Sequence, residues 1–237
     1  MRIRRTATAA APVPAGATPE AAVTRAAVKA ELERRAARDR LAAYRPYPKQ
    51  MEFHAAGAEH RERLFMAGNQ LGKTLAGAAE TAMHLTGRYP DWWPGRRFDR
   101  PIRAWAAGVT AESTRDNPQR MLVGPPQQKE HAGTGAIPAA ALVEAVAARG
   151  VANALDHVVV AHASGGRSVL AFKAYEKGRE KWQGETLDLV WFDEEPPLDI
   201  YIEGLTRTNA TGGMVMITFT PLLGMSAVVR MFLAEAG

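Results

Sequence analysis

"MAGNQLGKT", residues Met66 to Thr74, places a glycine-bracketed turn directly after an apolar run. That run, Leu64 to Ala67, predicts a short buried strand, and the alanine- and leucine-rich stretch from Leu75 to Leu85 predicts a helix. A strand, a glycine-rich turn, a lysine–threonine pair and a helix, in that order, are typical of loops that bind nucleotide phosphates. The sequence therefore predicts a phosphate-binding loop at this place in the chain.

The loop departs from the P-loop pattern G-x-x-x-x-G-K-[ST] at one position, because alanine replaces the first glycine. The neighbouring glycine supplies backbone freedom there, and the second glycine lets the chain approach the phosphates closely. The lysine would reach the β- and γ-phosphates, and the threonine hydroxyl would bind Mg²⁺. A glycine turn that precedes a helix by chance is the alternative. The predicted nucleotide-binding residues of the loop are Gly68, Asn69, Gln70, Leu71, Gly72, Lys73 and Thr74.

A second motif, LDLVWFDEEPP from Leu187 to Pro197, places acidic residues directly after an apolar run. A nucleotide hydrolase needs one carboxylate for its metal ion and a second acid that orients the attacking water. We expect Asp193 to serve Mg²⁺, largely through its water shell, and Glu194 to activate the water, with Glu195 as the rival for that role. An acidic surface turn would explain this motif alone, but not both motifs together. The acidic pair argues against a small-molecule kinase, and a GTPase would usually carry an N-K-x-D element, which is absent, so hydrolysis that drives mechanical work is the favoured class.

Length, composition and charge narrow the class of protein. The 237 residues suffice for one core, or for one domain with an appendage, and 46% hydrophobic residues indicate a globular chain. No apolar stretch reaches the ~18 residues of a membrane-spanning helix, so no membrane partner is expected. The lack of cysteine excludes disulfides and thiolate metal sites. A formal charge of +5 weakly favours a polyanionic partner such as nucleic acid.

Three regions follow one another along the chain. Residues 1–17 are basic and low in complexity, which predicts a disordered tail, and residues 18–45 predict a leader helix. Residues 46–237 alternate apolar runs with helical stretches, which predicts an α/β domain with a mostly parallel sheet flanked by helices. The segment Ala163 to Gly166 predicts a hairpin. The predicted strands are Leu64–Ala67, Ile102–Val109, His157–Ala161, Ser168–Phe172, Leu187–Phe192 and Met214–Phe219.

Four stretches together resemble the ATPase domain of the large terminase subunit of tailed bacteriophages. YPKQMEFH, from Tyr47 to His54, resembles the adenine-side motif of that family, and RERLFMAGNQLGKT, ending at Thr74, resembles its variant P-loop. FKAYEKGREKWQGETLDLVWFDEEPP, ending at Pro197, resembles the segment around the acidic pair, and MITFTPLLG, ending at Gly224, resembles the coupling motif. The resemblance covers the chain from Tyr47 onward.

The resemblance implies an ASCE-type P-loop NTPase that hydrolyses ATP with Mg²⁺ and moves double-stranded DNA into a procapsid. It implies a portal protein and a small terminase subunit as partners, a homo-oligomeric ring on the portal, and the host cytoplasm as location. Members of the family also carry a C-terminal nuclease domain. Since the chain ends at Gly237, soon after the coupling motif, no nuclease activity is expected from it. The alternatives are another P-loop DNA translocase, such as a hexameric helicase, or a truncated product that binds nucleotide without turnover.

Several further residues receive predicted roles in this site. Gln50 carries both donors and an acceptor, so it can read an adenine edge, and Tyr47 or Phe53 could stack on the ring. Because Thr218 and Thr220 alternate along a strand, we expect only one of them to face the nucleotide, and Thr220 is favoured. Their alternative role is simply to favour a strand.

A phosphoryl-transfer site usually calls for an arginine finger. Many terminase P-loops have an arginine where Asn69 stands here, so we expect the finger elsewhere in this chain. Arg115 is the favoured candidate, supplied to a neighbouring subunit, and Arg120 and Arg179 are the others; a surface salt bridge is the alternative for Arg115.

A loop rich in tryptophan and arginine, GRYPDWWPGRRF from Gly87 to Phe98, could contact DNA. Such tryptophans more often pin a long loop to the core, and we prefer that interpretation. His157 and His162 would face opposite sides of an extended chain, so we expect no metal site besides that of Mg²⁺.

Overall fold

The computed structural model describes residues 39–221 and 226–235, together with position 27. All of these except position 27 belong to one compact unit, Ala36–Gly237. The predicted tail, residues 1–17, lies outside the described residues, as does most of the predicted leader helix. Within the described part of that helix prediction, position 27 is helical, Asp39 is non-helical with φ −121° and ψ 78°, and the Asp39 side chain caps a short helix, α1, Arg40–Ala43.

One sheet of seven strands organises the domain, in the order β1–β7–β6–β2–β5–β4–β3. Adjacent strands are parallel from β1 to β5 in this order, and antiparallel from β5 to β3. The predicted α/β fold with a mostly parallel sheet is therefore confirmed. The strands are β1 Glu62–Met66, β2 Arg103–Gly108, β3 Leu142–Ala147, β4 Leu155–Ala161, β5 Arg167–Ala174, β6 Leu189–Asp193 and β7 Met214–Phe219.

All six predicted strands are present, with their ends shifted by a few residues at most. The predicted hairpin joins β4 to β5, and Gly165 and Gly166 supply its two left-handed positions, with φ of 87° and 82°. Strand β3 was not predicted. This strand lies at the edge of the sheet, has no fully buried side chain, and pairs with β4 through two register irregularities. Its sequence, LVEAVA, therefore lacks the strict alternation of apolar and polar residues that would indicate a strand.

Helices cover both faces of this sheet. They are α1, α2 Pro48–Ala56, α3 Lys73–Thr86, α4 Ala111–Thr114, α5 Arg120–Val123, α6 Leu198–Thr208 and α7 Ala227–Glu235, with a π-helical turn Arg115–Gln119 between α4 and α5. Side chains of β6 alternate between two hydrophobic clusters: Trp191 joins the cluster beneath α3, whereas Phe192 joins the one beneath α6 and α7. None of the described helices is long and apolar enough to cross a membrane.

The helix that follows the P-loop approaches the sheet very closely at Gly77. A Cβ atom there would lie 2.5 Å from the ring of Trp191, so only glycine allows this contact. The left-handed Gly72, with φ of 75°, begins α3, and the left-handed Gly87 ends it. Glycines thus define both ends of α3 and allow its close packing against β6.

The tryptophan-rich loop after α3 packs against the core, as predicted. Trp93 is buried and its ring lies 4.9 Å from that of His54, while its Nε1 donates a 2.9 Å hydrogen bond to the carbonyl of Arg96. Trp92 packs beside it against the same hydrophobic cluster.

Candidate nucleotide-binding site

The sheet order brings the predicted site residues together. Strands β1, β7 and β6 are parallel neighbours, so their carboxyl ends lie at one edge of the sheet. The P-loop follows β1, the acidic pair stands at the end of β6, and Thr218 to Thr220 stand at the end of β7. Ligands of open α/β sheets bind outside the carboxyl ends of the strands, which is where these three segments meet.

The loop between β1 and α3 has the tight backbone that a phosphate cradle requires. Gln70 and Gly72 both adopt left-handed conformations, with φ of 60° and 75°. Lys73 is buried, and its Nζ donates a 2.7 Å hydrogen bond to the carbonyl of Gly68, within the same loop. The lysine thus already points into the loop that would hold the phosphates.

Asp193 is the centre of a hydrogen-bond chain that links α3, β6 and β7. Its Oδ1 accepts hydrogen bonds from the hydroxyls of Thr74, at 3.0 Å, and Thr218, at 2.9 Å. The indole of Trp191 in turn donates to the Thr218 hydroxyl, at 2.8 Å. Burial raises the pKa of Asp193 to about 7, against the opposing effect of the two hydroxyl hydrogen bonds. The P-loop threonine and the aspartate of the second motif are therefore in direct contact.

Thr74 and Asp193 have the properties of a magnesium site. Carboxylate and hydroxyl oxygens are ligands that Mg²⁺ accepts, and one or two protein ligands suffice because the ion keeps several waters. The carboxylate of Asp193 is almost fully buried without a cationic hydrogen-bond partner among the described residues, so a bound cation would offset its charge. The residues present thus fit the ion.

The raised pKa of Asp193 predicts a pH-dependent gain in stability for Asp193→Asn. The folded pKa lies above the unfolded value of 3.8, so the stability that Asp193 supports is lost as the pH rises toward about 7. Asparagine keeps the acceptor oxygen and does not ionise. In metal-free buffer we expect the variant to gain roughly 2 kcal/mol over the parent between pH 5 and pH 8. Denaturant unfolding at both pH values measures this, and an equal difference at the two would contradict it.

The two candidate water-activating residues, Glu194 and Glu195, differ in their contacts. Glu194 is left-handed, with φ of 69°; its amide donates to the Thr218 carbonyl at 2.8 Å, and its Oε2 accepts from the Thr220 amide at 3.3 Å. Among the residues that the structure describes, Glu195 Oε1 is buried without a hydrogen-bond partner, and burial raises its pKa. Glu194 is thus the one that contacts the end of β7.

Both threonines of the predicted coupling segment contact other predicted site residues, so strand alternation does not place them on opposite sides of the site. Thr218 lies within β7 and reaches Asp193, whereas Thr220 lies beyond the last strand residue, Phe219. Strand alternation therefore does not apply to Thr220. Its hydroxyl donates a 3.0 Å hydrogen bond to Oδ1 of Asn69 in the P-loop.

Gln50 lies against the P-loop, on the wall of a groove that Tyr47 and Phe53 also line. Its Oε1 accepts from the Tyr47 amide and its Nε2 donates to the Gly72 carbonyl, both at 2.8 Å, and the side chain is buried. Phe53 is also buried and stacks on Phe65, with ring centroids 5.0 Å apart. Tyr47 is 65% exposed and lines a groove of about 1150 Å³ beside the P-loop.

The arginine-finger candidates lie apart from these groups. Arg115 donates to both carboxylate oxygens of Asp116, at 2.8 Å, and to the carbonyl of Ala152, at 3.0 Å. Arg179 pairs with the buried Glu203 at 2.8 Å, and Arg120 is exposed in α5. None of these contacts involves the P-loop or the acidic pair.

Sequence reasoning missed two residues of this site. Trp191 precedes Asp193 by two positions on the same strand, so strand alternation could have placed it beside the aspartate. Tyr175, which follows β5, donates to the Glu194 carbonyl at 2.8 Å. No local pattern marks it, because this contact depends on the position of β5 in the sheet.

A P-loop that opens a helix, with its threonine bonded to an aspartate at the end of a nearby parallel strand, defines a P-loop NTPase. Residues 64–237 match the family model described as "Terminase large subunit, T4likevirus-type, N-terminal", and the chain belongs to this family. The resemblance found in the sequence is thereby confirmed.

Curated relatives agree with this assignment. The terminase large subunit of Salmonella phage P22 is 46% identical over 207 residues, which cover 80% of this chain and 42% of the relative. That of Enterobacteria phage LP7 is 42% identical over 66 residues, 28% of this chain and 14% of the relative. The chain thus spans less than half the length of the curated relatives it matches. Among solved structures, the large terminase of a thermophilic bacteriophage in complex with ADP matches with a TM-score of 0.46 and 14% identity, over 74% of this chain and 38% of that one.

Proposed function

We propose that this chain is the ATP-hydrolysing motor domain of a phage DNA-packaging terminase, which moves double-stranded DNA into a procapsid. The observation that carries the proposal is the contact between P-loop and acidic pair: Thr74 is bonded to Asp193, and Glu194 stands next to it. Membership in the terminase family supports DNA packaging as the work that hydrolysis drives.

ATP would bind with its phosphates in the P-loop. Lys73 would exchange the Gly68 carbonyl for the β- and γ-phosphates, and the loop amides from Gly68 to Thr74 would surround the anion. Thr74 and Asp193 would hold Mg²⁺, which when bound neutralises charge on the phosphates. Tyr47 and Gln50 would line the side on which the base lies, with Gln50 as the residue that reads the adenine edge while it also supports the loop through Gly72.

Glu194 would orient the attacking water toward the γ-phosphate. Its carboxylate accepts a hydrogen bond from the Thr220 amide, and Thr220 in turn is bonded to Asn69 of the P-loop. A change in the loop on ATP binding or hydrolysis would therefore reach Thr220 directly through Asn69, and Thr218 through Asp193. We assign to this segment the coupling of hydrolysis to movement.

The remaining parts of the proposal concern partners. Copies of the protein would form a ring on the portal protein, with the small terminase subunit and double-stranded DNA, in the host cytoplasm. Arg115 is proposed as the finger for a neighbouring copy, in which case it would exchange its contacts with Asp116 and Ala152 for a γ-phosphate.

We expect the purified chain to hydrolyse ATP, and double-stranded DNA to stimulate the rate several-fold. Phosphate release with and without DNA measures this, and Lys73→Ala, which removes the cation of the P-loop, is the control that ties turnover to this site. Turnover that DNA leaves unchanged would contradict the packaging role. Nucleotide binding without turnover, even at high protein concentration, would contradict the proposal that this chain hydrolyses ATP.

A further inference from the structure

We propose that Tyr175 is a positioning residue, which holds the left-handed turn at Glu194 and thereby aims its carboxylate. This inference rests on the proposed ATPase function. A non-glycine residue in the left-handed region is strained, and such a conformation persists only where the surrounding structure holds it. Glu194, with φ of 69°, needs such support on its backbone.

The hydroxyl of Tyr175 lies close to three backbone carbonyl oxygens, two of which belong to the acidic pair. Its Oη is 2.8 Å from the Glu194 carbonyl oxygen, 3.2 Å from that of Asp193 and 3.5 Å from that of Ala107. The hydroxyl has a single proton to donate, and the shortest of these contacts is the one to Glu194. The donor therefore acts on the peptide that follows the left-handed residue.

The turn is held from two sides. From β7, the Thr218 carbonyl accepts the Glu194 amide, and the Thr220 amide donates to the Glu194 carboxylate. Tyr175 follows β5, which is separated from β6 by β2 and lies on the side away from β7. Without Tyr175, the Glu194 carbonyl would lose the one hydrogen-bond donor that the described residues offer it.

Tyr175 is itself held firmly. Its ring is buried beside the stacked rings of Trp182 and Phe192, with centroids 6.1 and 6.0 Å away. The amide of Glu176, the next residue, donates to the Val109 carbonyl. Burial, and to a lesser extent the charges of Asp193 and Glu194, raise the pKa of Tyr175 well above 10, so the hydroxyl stays a neutral donor. Because the hydroxyl is fixed in place, its hydrogen bond restrains the position of the Glu194 carbonyl.

The test compares Tyr175→Phe with Tyr89→Phe, a matched control. Tyr89 also carries a largely buried hydroxyl, bonded to His84 and to the Phe98 amide, away from the acidic pair. We expect Tyr175→Phe to lower kcat for ATP by about tenfold, because small displacements of a catalytic group are costly, with little change in the ATP dissociation constant. Tyr89→Phe should leave kcat near that of the parent. Equal kcat in the parent and Tyr175→Phe, or an equal fall in both variants, would overturn the proposal.

A second measurement does not depend on turnover. Amide hydrogen exchange at Glu194, followed by NMR, should accelerate about fivefold in Tyr175→Phe through the loss of one hydrogen bond, and stay unchanged in Tyr89→Phe. Unchanged exchange in Tyr175→Phe would overturn the proposal, whatever kcat does. If the parent shows no hydrolysis, the proposed function fails, and exchange at Glu194 still decides whether Tyr175 holds the turn.

Discussion

Replacing Glu194 with glutamine is expected to lower kcat for ATP hydrolysis by about 10²- to 10⁴-fold, the usual contribution of a positioned general base. Glutamine keeps the shape of the side chain and an oxygen that can accept from the Thr220 amide, so the turn should survive. It lacks the charge that draws a proton from the attacking water. ATP affinity should change little, because binding relies on the P-loop. Single-turnover hydrolysis and equilibrium nucleotide binding measure the two quantities separately.

Glu195→Gln is the matched control, since it makes the same chemical change one position further along. Glu195 Oε1 has no hydrogen-bond partner among the described residues, whereas the Glu194 carboxylate contacts the end of β7. We therefore expect Glu195→Gln to retain most of the parent's turnover. Loss of hydrolysis in Glu195→Gln, with turnover preserved in Glu194→Gln, would reverse the assignment and make Glu195 the water-activating acid.

The centre of the parallel part of the sheet could be predicted because its strands β6 and β7 are buried on both faces. The residues of β6 and β7 are all buried, so each strand appears in the sequence as a continuous apolar run. Strand β3 lies at the antiparallel edge with most side chains exposed, and its alanines and single glutamate resemble many loops and helices. Its pairing with β4 depends on the tertiary structure and leaves no local signal.

The candidate site likewise has a part that the sequence predicted and a part that only the fold shows. The P-loop and the acidic pair are short motifs whose residue types indicate their chemistry, so Lys73, Thr74 and Asp193 could be assigned to one site although Thr74 and Asp193 lie 119 positions apart. The contacts of Gln50 and Tyr175 span only 22 and 19 positions, but no sequence motif indicates which backbone carbonyl each side chain bonds. Residue type suggested that Gln50 could read a base, but only the fold shows its amide between the Tyr47 amide and Gly72.

A buried charge beneath the P-loop should govern the stability of the domain. Glu80 of α3 is fully buried and accepts from Arg63 of β1, from His54 of α2 and from His84 one turn further along α3. Burial alone would raise the pKa of Glu80, but the charge of Arg63 and the hydrogen bonds from the two histidines outweigh it and hold the pKa well below 4.5. These contacts fasten α2 and α3 to β1, the elements on either side of the P-loop.

Glu80→Gln is therefore expected to destabilise the domain by about 3–5 kcal/mol, because it leaves the buried guanidinium of Arg63 without its counter-charge. Urea unfolding monitored by tryptophan fluorescence measures this loss. Glu52→Gln, which breaks the exposed pair with Lys49, makes the same change at the surface and should cost about 0–1 kcal/mol. Similar losses in the two variants would show that the buried network contributes no more than a surface pair.

The pH dependence gives this prediction a second, independent check. Because the folded pKa of Glu80 is depressed, the stability it contributes is present above the unfolded value of 4.5 and is lost as the pH falls through the folded pKa. Burial also lowers the pKa of His84, so that ring stays neutral at pH 7 and does not replace Arg63 as the counter-charge. The difference between the parent and Glu80→Gln should therefore be constant from pH 6 to pH 8, should begin to narrow below about pH 4.5, and should continue to narrow down to the folded pKa. A difference that instead narrows as the pH rises from 6 to 8 would assign the stability to a protonated histidine beside Glu80, because such a cation is lost as the pH rises.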